Sequence, residues 1–485
     1  VPSVESSYSF SEALQQDWEW SDRYATQPEL LRYANHVADR FDLRRDIQFN
    51  TRIVSAVFDE SAKIWVVTTA GGETARARFC VMATGCLSSA RTPAIEGLAS
   101  FEGKVHHTGA WPHDGVDFGG QRVGVIGTGS SGIQSIPLIA RQAAHLTVFQ
   151  RTPNFCVPAR NAALSAEFKA DVKEHYPQLR EKIRQGALNV HTYGARSALD
   201  VTEAQRNTEY EARWTVGGFH FIKAFPDLMV NIEANRTAAE FVFRKIRETV
   251  SDPAVAEMLL PRDHPIGTKR MCVGTDYYET YNRSNVRLVN LREAPIEAIT
   301  PRGLRAGGEE HALDAIVFAT GFDAMTGALL AIDIRGRGGL ALRDAWAGGP
   351  RSYLGIAVPG FPNLFTITGP GSPSVLTNMI MSIEQHVDWV IDCIVHLDSC
   401  GHATIEARRD ASDQWVEHVN DVADKTLFPA ADSWYVGANV PGKPRVFMPY
   451  VGDPWTYRQT CRQVAADGYP GFELAAAAAH TATIR

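Results

Sequence analysis

The chain has 485 residues, of which 45% are hydrophobic and 21% charged, and its formal net charge is −7. This length predicts two or three domains, and the acidic balance argues against a nucleic-acid binder, which would show a basic face. No apolar run approaches the roughly 18 residues of a membrane span, and the first residues show no secretory signal pattern.

The seven cysteines are odd in number, and no two of them have C-x-x-C spacing. This pattern fits neither a disulfide framework nor a metal site, and it is typical of a reducing cytosol. It also argues against the flavoenzymes that reduce disulfides through a pair of redox cysteines. We therefore expect a cytoplasmic protein without a metal site.

Helical and strand patterns alternate along the chain. Residues 23–42 place apolar side chains at helical spacing, with Pro28 and Glu29 typical of a first helical turn. Strands are predicted at 47–49, 53–58, 65–69 and 78–83, with a hairpin turn at 70–73. A charge-rich helical insertion is predicted at 160–250, strands from about 286 to the Ala-Thr-Gly at 319–321, and a long helix around 378–399.

Residues 122–132 combine an apolar strand with the pattern G-x-G-x-x-G, and a helical pattern follows. The first glycine permits a tight turn, the second lets the backbone approach a pyrophosphate, and the third permits close packing of helix on strand. The helix N-terminus offers free N–H groups to phosphate. Pro137 is awkward in this helix and tolerable only in its first turns. The expected cofactor-binding residues are Gly127, Thr128, Gly129, Ser130, Ser131, Gly132 and Ile133.

The next strand distinguishes NADP from NAD. An NAD site places an acidic residue about 20 residues past the glycines, where it binds the ribose 2′-hydroxyl. Here the strand ends in Gln150, Arg151 and Thr152. An arginine there would face a 2′-phosphate, so we expect NADP, with a solvated loop arginine as the alternative.

Residues 101–112 carry the pattern F-x-G-x-x-x-H-x-x-x-W-P, formed by Phe101, Gly103, His107, Trp111 and Pro112. Through this pattern the chain resembles the class B flavin monooxygenases of Baeyer–Villiger type. Similar stretches occur at 24–29, 267–270, 369–374 and 434–443, and they point to the subgroup that includes phenylacetone monooxygenase.

The resemblance implies an enzyme that uses FAD, NADPH and O₂ to convert ketones to esters or lactones through a C4a-peroxyflavin. Such chemistry needs a permanent cation near the flavin to hold anionic oxygen, and arginine supplies one. The resemblance assigns that role to Arg270, which by itself would pass for a surface ion-pair partner, and it makes Lys269 a second contact to the 2′-phosphate.

The resemblance also assigns residues around the flavin. Ile53 and Cys86 align with flavin-contacting positions, and Met379 lies in the segment that shapes the substrate pocket. Trp434 resembles a residue on a mobile loop that contacts the nicotinamide cofactor. Core packing remains the alternative for Met379 and Trp434, and we expect His107 and Trp111 to be packing and hinge residues.

The implied fold is α/β with two Rossmann-like dinucleotide-binding domains, the NADP domain inserted in the FAD domain. The expected segments are FAD domain 1–86 and 323–485, NADP domain 87–156 and 266–322, and helical insertion 157–265.

A second G-x-G-x-x-G, which FAD would need, is missing, and the resemblance begins at Val1. We therefore expect the N-terminal FAD-binding segment to be lacking, through truncation or in a genuinely shortened protein. The alternatives to ketone oxygenation are oxygenation of nitrogen or sulfur, and a non-catalytic NADP-binding fragment. The pattern names neither the ketone nor the oligomeric state.

Overall fold

The computed structural model describes residues 2–185 and 193–476. Its helices in chain order are α1 (Glu12–Asp17), α2 (Gln27–Arg40), α3 (Ser130–Gln142), α4 (Ala166–Glu174), α5 (Tyr176–Gln185), α6 (Glu203–Val216), α7 (Ile232–Thr249), α8 (Pro253–Met258), α9 (Gly327–Leu330), α10 (Leu342–Ala345), α11 (Met379–Ser399), α12 (Arg409–Asp424) and α13 (Pro454–Ala466).

The strands in chain order are β1 (Ile53–Asp59), β2 (Ile64–Thr69), β3 (Thr74–Ala77), β4 (Cys80–Met82), β5 (Lys104–His107), β6 (Arg122–Ile126), β7 (His145–Gln150), β8 (Cys156–Pro158), β9 (Cys272–Gly274), β10 (Val286–Asn290), β11 (Ile296–Thr300), β12 (Gly303–Ala306), β13 (Glu309–Ala312), β14 (Ala315–Phe318), β15 (Asp333–Arg335), β16 (Leu364–Thr366), β17 (His402–Ala407) and β18 (Phe472–Ala476).

A five-stranded parallel sheet forms the centre of the first unit, in the order β10-β7-β6-β14-β5. Every residue of β14 is buried, as are all but the first residues of β6 and β7. Such continuous burial is typical of a parallel sheet covered on both faces. Since β5–β7 precede the helical region and β10 and β14 follow it, the chain leaves this sheet and returns to it.

The helical region between β8 and β9 packs on the same core as the sheet. Tyr210, Phe221 and Phe241 are almost fully buried, and their rings contact one another. Asn231 caps α7 by accepting from the N–H groups of Glu233 and Ala234, as an N-cap asparagine does. The predicted helical insertion is therefore helical as expected.

The second unit combines a mixed sheet, ordered β15-β1-β2-β3, with the parallel pair β4–β16; β1, β2 and β3 are antiparallel, and β15 pairs parallel to β1. The predicted turn at 70–73 joins β2 to β3, where the Thr69 N–H donates to the Glu73 carbonyl at 2.9 Å. Trp65 is fully buried in β2 and donates its indole N–H to the Pro362 carbonyl at 2.8 Å. The long predicted helix near 378–399 is α11.

Two local predictions were wrong. Residues 47–49 form no strand: the Ile47 N–H closes a turn onto Arg44, Asn50 has a φ of 53°, and Phe49 is 58% exposed. A strand needs a partner strand, and apolar composition alone does not supply one. Pro137 lies well inside α3 rather than in its first turns; its ring is buried in the core, which offsets the missing backbone hydrogen bond.

Candidate active site

The glycine-rich turn lies where β6 meets α3. Gly127 has a φ of 108°, which favours glycine, and its N–H donates to the Phe149 carbonyl at 3.0 Å. A Cβ at this position would lie 2.6 Å from the Ala319 carbonyl oxygen. Backbone contact with the end of β14 therefore forces this residue to be glycine.

The other two glycines differ in their surroundings. A Cβ on Gly132 would lie 2.2 Å from the Gly127 carbonyl oxygen, whereas one on Gly129 would meet no atom within 4 Å. Gly132 therefore serves the packing of α3 on the turn. Gly129, the N-cap of α3 without a side-chain cap, faces open space beside unpaired helical N–H groups, which is the geometry that a pyrophosphate needs.

The remaining residues of the turn have mixed positions. The Thr128 hydroxyl donates to the Thr152 carbonyl at 3.0 Å, so the turn is tied to the end of β7. Ser130 and Ser131 lie in the first turn of α3, where their N–H groups have no helical partner. Ile133 is fully buried in the core and its N–H bonds the Gly129 carbonyl, so only an indirect role in cofactor binding fits its position.

Two of the predicted 2′-phosphate residues come together from distant parts of the chain. Arg151 is exposed just beyond β7, and Lys269 is half-buried before β9. Burial lowers the pKa of Lys269, nearby Asp263 opposes this shift, and the positive charge of Arg151 adds to it. That mutual effect places the two cations in one electrostatic environment at the carboxyl edge of the parallel sheet.

Arg270 is half-buried, and its guanidinium is held on three sides. It donates to the Val375 carbonyl at 2.6 Å and lies 5.0 Å from the centre of the Phe219 ring. The third neighbour is Tyr435, a buried phenol whose pKa is raised by burial, an effect that the Arg270 charge and hydrogen bond oppose. The cation is thus fixed between the helical region, the 374–376 turn and the Trp434 loop.

The backbone of Arg270 is held separately from its side chain. The Asn154 amide donates to the Arg270 carbonyl at 3.4 Å and to the Cys272 sulfur at 3.3 Å. Cys272 also contacts the Ser130 hydroxyl at 3.3 Å. These contacts connect the start of α3 to the segment before β9 that carries Arg270.

Cys86 and Met379 share an apolar cluster with Val375 of the turn 374–376. Cys86 is buried, and its thiol pKa is raised by burial, an effect opposed by a hydrogen bond with Ser374. Met379 begins α11 and packs on the same apolar cluster as Cys86 and Val375. The structure therefore brings Cys86 and Met379 together with Val375, whose carbonyl accepts a hydrogen bond from Arg270.

Trp434 lies on a loop, defined here as residues 434–443, that is tied to the end of β14. The indole ring is 4.2 Å from the Tyr435 ring, centre to centre. Asn439 donates to the Phe322 carbonyl at 2.7 Å, and Lys443 forms a 2.6 Å ion pair with Asp323. Trp434 thus stands one residue from the Arg270 partner Tyr435.

Ile53 is placed apart from this cluster. It begins β1, where it pairs with Thr69 of the antiparallel neighbour β2. Among the described residues, Ile53 is not part of the apolar cluster that contains Cys86, Val375 and Met379. The structure therefore does not bring it together with Cys86 and Met379.

His107 is buried at the end of β5 with both ring nitrogens engaged. Nδ1 accepts the Gly109 N–H at 2.9 Å, and Nε2 lies 3.2 Å from the Arg91 carbonyl, which also accepts the Thr320 hydroxyl at 2.6 Å. The Arg91 guanidinium in turn donates a hydrogen bond to the Asn439 carbonyl. His107 thus lies in a chain of contacts from β5 to the 434–443 loop.

A buried histidine supports the backbone next to this site. His386 of α11 is fully buried; Nδ1 accepts the Thr368 N–H at 3.0 Å, and Nε2 lies 2.7 Å from the Tyr457 hydroxyl. Tyr457 donates to the Leu354 carbonyl at 2.6 Å. Burial lowers the pKa of His386 to about 4, so the ring is neutral and holds the 368–376 loop.

Sequence reasoning missed several of these neighbours. Phe219, Asn154 and Cys272 belong to no motif, and Tyr435 was included in the 434–443 stretch without a role. Phe219, Tyr435 and Asn154 come to Arg270 from chain segments far apart in sequence, whereas Cys272 follows it by two residues. The one available signal was adjacency, since Tyr435 follows Trp434 and Asn154 closely follows Arg151.

The family model of the pyridine nucleotide-disulphide oxidoreductases matches residues 4–222. This is less than half of the chain, and it spans the glycine-rich turn. The chain offers no C-x-x-C pair for disulfide reduction. The match therefore supports dinucleotide binding in this region.

Two curated relatives match nearly the whole chain. A Baeyer–Villiger monooxygenase of Pseudooceanicola batsensis is 42% identical over 95% of this chain and 85% of its own length. The phenazine N-monooxygenase PhzNO1 of Lysobacter antibioticus is 43% identical over 96% of this chain and 86% of its own length.

Two solved structures superpose closely. An oxidised steroid monooxygenase bound to NADP is 52% identical, with a TM-score of 0.94 over 98% of this chain and 90% of that one. The enzyme OTEMO in complex with FAD and NADP is 41% identical, with a TM-score of 0.93 over 98% of this chain and 90% of that one.

The chain belongs to the Baeyer–Villiger monooxygenase family. The predicted α/β fold with two Rossmann-like domains, the enzyme class and the use of FAD and NADP are thereby confirmed. No helix within residues 2–185 and 193–476 is long and apolar enough to cross a membrane.

The residues present fit both cofactors to different extents. Gly129 leaves open space beside the free N–H groups of α3, which suits the NADP pyrophosphate. Gly321, with a φ of 79°, likewise leaves the space at its Cβ position empty; it precedes Phe322 and Asp323, which bind the 434–443 loop, so a planar cofactor ring has room there. The single G-x-G-x-x-G is the one we expect to bind NADP, so we assign no residue to the ADP half of FAD.

The two glycines of the turn should respond differently to alanine. Gly129→Ala should keep the wild-type melting temperature and lose about tenfold or more in NADP⁺ affinity, because its methyl group would occupy the cofactor space. Gly132→Ala should lower stability by roughly 1–3 kcal/mol, because α3 must move away from Gly127. Thermal unfolding and calorimetric titration measure both; wild-type NADP⁺ affinity in Gly129→Ala would refute the assigned cofactor position.

His386 should make stability pH-dependent. Because its folded-state pKa of about 4 lies below the unfolded value of about 6.5, the unfolded chain binds a proton that the folded chain cannot. Above pH 6.5 the neutral His386 costs the folded protein no stability. As the pH falls from 6.5 towards 4, proton binding by the unfolded chain lowers the free energy of unfolding by at most ~3 kcal/mol.

The measurement is urea unfolding of the wild type and of His386→Gln at pH 7 and pH 5. The variant should be less stable at pH 7 and lose less stability between the two values. His113→Gln, in an exposed loop, is the control and should keep the wild-type slope. Equal slopes in all three proteins would mean that His386 is not held neutral.

Proposed function

We propose that Arg270 is the catalytic cation in the oxygenation of a ketone to an ester or lactone by this chain. In that reaction one atom of O₂ is inserted between the carbonyl carbon and its neighbour, the other leaves as water, and NADPH supplies the two electrons. The observation that carries the proposal is the guanidinium of Arg270, held between Val375, Phe219 and Tyr435.

The position of Arg270 suits the stabilisation of anionic oxygen. A guanidinium keeps its charge at every physiological pH and has five N–H donors, so donors remain after the bond to Val375. Aromatic and backbone neighbours limit water around it, which strengthens its interaction with developing negative charge. Bound FAD, reduced by NADPH, would supply the activation of O₂.

The cofactors are assigned to different residues. Gly127, Gly129, Ser130 and Ser131 would hold the NADP pyrophosphate, and Arg151, Thr152 and Lys269 its 2′-phosphate. Cys86, Met379 and Trp434 would border the flavin and nicotinamide rings, as their positions around the 374–376 turn support. Ile53 is assigned to FAD by the resemblance alone.

We further propose the domain boundaries expected from the sequence, with segments 1–86 and 323–485 forming the FAD domain and 87–156 and 266–322 the NADP domain. The departure of the chain from the sheet after β7 and its return before β10 support them. The seven free cysteines support a cytoplasmic location.

Oxygenation of nitrogen is the second candidate, because the phenazine N-monooxygenase is 43% identical to this chain and the Baeyer–Villiger relative 42%. A turnover assay with NADPH, added FAD, and a cyclic ketone, an aryl ketone, a sulfide or an N-heteroaromatic compound separates them. Ester or lactone from the ketones supports our proposal. N-oxide or sulfoxide without ester refutes it, and a chain that binds NADP⁺ but never FAD would be the non-catalytic fragment.

Arg270→Ala should lower the rate of ester formation by at least about 10³-fold, while flavin reduction by NADPH persists. Arg270→Lys should recover little activity, since lysine lacks the planar fork that spans Val375 and an anionic oxygen. Stopped-flow absorbance at 450 nm follows reduction, and gas chromatography follows the ester. Equal loss of both steps in flavin-loaded protein would contradict a role in oxygenation.

A further inference from the structure

Arg292 lies beside Arg151 because of strand order. β10 and β7 are neighbouring parallel strands, with Asn290 in register with Gln150. The Leu291 N–H continues the ladder by donating to the Gln150 carbonyl at 2.8 Å. The residues that follow two adjacent parallel strands emerge at the same edge of the sheet, so Arg151 and Arg292 emerge together.

Asp263 connects Arg292 to the loop that carries Lys269. One carboxylate oxygen accepts from Arg292 at 2.5 Å, and the other lies 2.6 Å from the His264 ring nitrogen. Burial alone would raise the pKa of Asp263, yet the hydrogen bonds of His264 and Arg292 and the charges of His264 and Lys269 hold that pKa below its usual range. The carboxylate thus stands between two cations.

We propose that Arg292 is a third cation of the NADP 2′-phosphate site and a determinant of the preference for NADPH over NADH. The inference rests on the NADP roles assigned to Arg151 and Lys269, and it extends them to a residue that no motif marks.

Charge balance supports this role. A phosphate monoester carries close to two negative charges at neutral pH. Arg151 and Lys269 together contribute two positive charges, of which Asp263 offsets one; Arg292 restores the second. The nearby Asp432 is itself paired with Arg445 at 3.1 Å.

The ion pair with Asp263 also orients Arg292. Its side chain is 53% exposed, so an unpaired guanidinium would sample many rotamers. Contact with one Asp263 oxygen leaves further N–H donors of the fork for a phosphate. The alternative is that Arg292 is only a surface partner of Asp263.

The test compares adenosine 2′,5′-bisphosphate with 5′-AMP, because these probes differ only in the 2′-phosphate. Calorimetric titration of the full chain needs neither flavin nor turnover. Arg292→Gln should weaken the bisphosphate by about tenfold and leave 5′-AMP unchanged, and Arg292→Lys should recover part of the loss. The matched control is Arg287→Gln, in β10, which Arg292 follows; it has similar exposure and is paired instead with Glu309. This variant should bind both probes as the wild type does.

Arg151→Gln distinguishes failure of this inference from failure of the assigned NADP site. If Arg151→Gln loses bisphosphate binding selectively and Arg292→Gln does not, Arg292 is only a partner of Asp263 and the proposed function stands. If Arg292→Gln weakens both probes equally, its role is structural and the inference is overturned. If neither variant discriminates the probes, the 2′-phosphate site itself is misplaced.

Discussion

Close approach of backbone at Gly127, Gly132 and Ala319 is the constraint on which the site depends. The Ala319 N–H donates to the Ile126 carbonyl at 2.9 Å, and a Cβ at Gly127 would lie 2.6 Å from the Ala319 carbonyl oxygen. β14 must therefore lie directly against β6, although the helical insertion separates them in sequence. This pairing returns the chain to the sheet. The parallel pair β8–β9 and the contact of Cys272 with Ser130 hold the segment of Lys269 and Arg270 beside the glycine-rich turn.

Two groups of cations at this edge have different surroundings, and the difference suits different tasks. Arg270 is half-buried among Phe219, Tyr435 and a backbone carbonyl, where a fixed charge acts strongly on nearby atoms. Arg151 and Arg292 are exposed, and Asp263 moderates their charge. Exposed cations suit the binding of a soluble phosphate, whereas a sheltered one suits charge that develops during a reaction.

The 434–443 loop is connected to the pattern at residues 101–112 through Arg91. His107 and Thr320 both meet the Arg91 carbonyl, and the Arg91 guanidinium reaches the Asn439 carbonyl. Lys443 and Asp323 close the other end of the loop with a sheltered ion pair. Movement of the strand ends that contain His107 and Thr320 would therefore be transmitted to Trp434 and Tyr435.

The sequence alone determined the glycine-rich turn, the preference for NADP, the helical insertion and, through one twelve-residue pattern, the family. These features are local, because spacing and residue type set the chemistry of Gly127, Gly129, Gly132 and Arg151. Only the tertiary structure placed Phe219, Val375 and Tyr435 around Arg270 and Arg292 beside Arg151. It also showed that residues 47–49 have no partner strand and that Pro137 lies within α3. Strand order and packing between distant segments decide such contacts, and a local pattern carries no information about either.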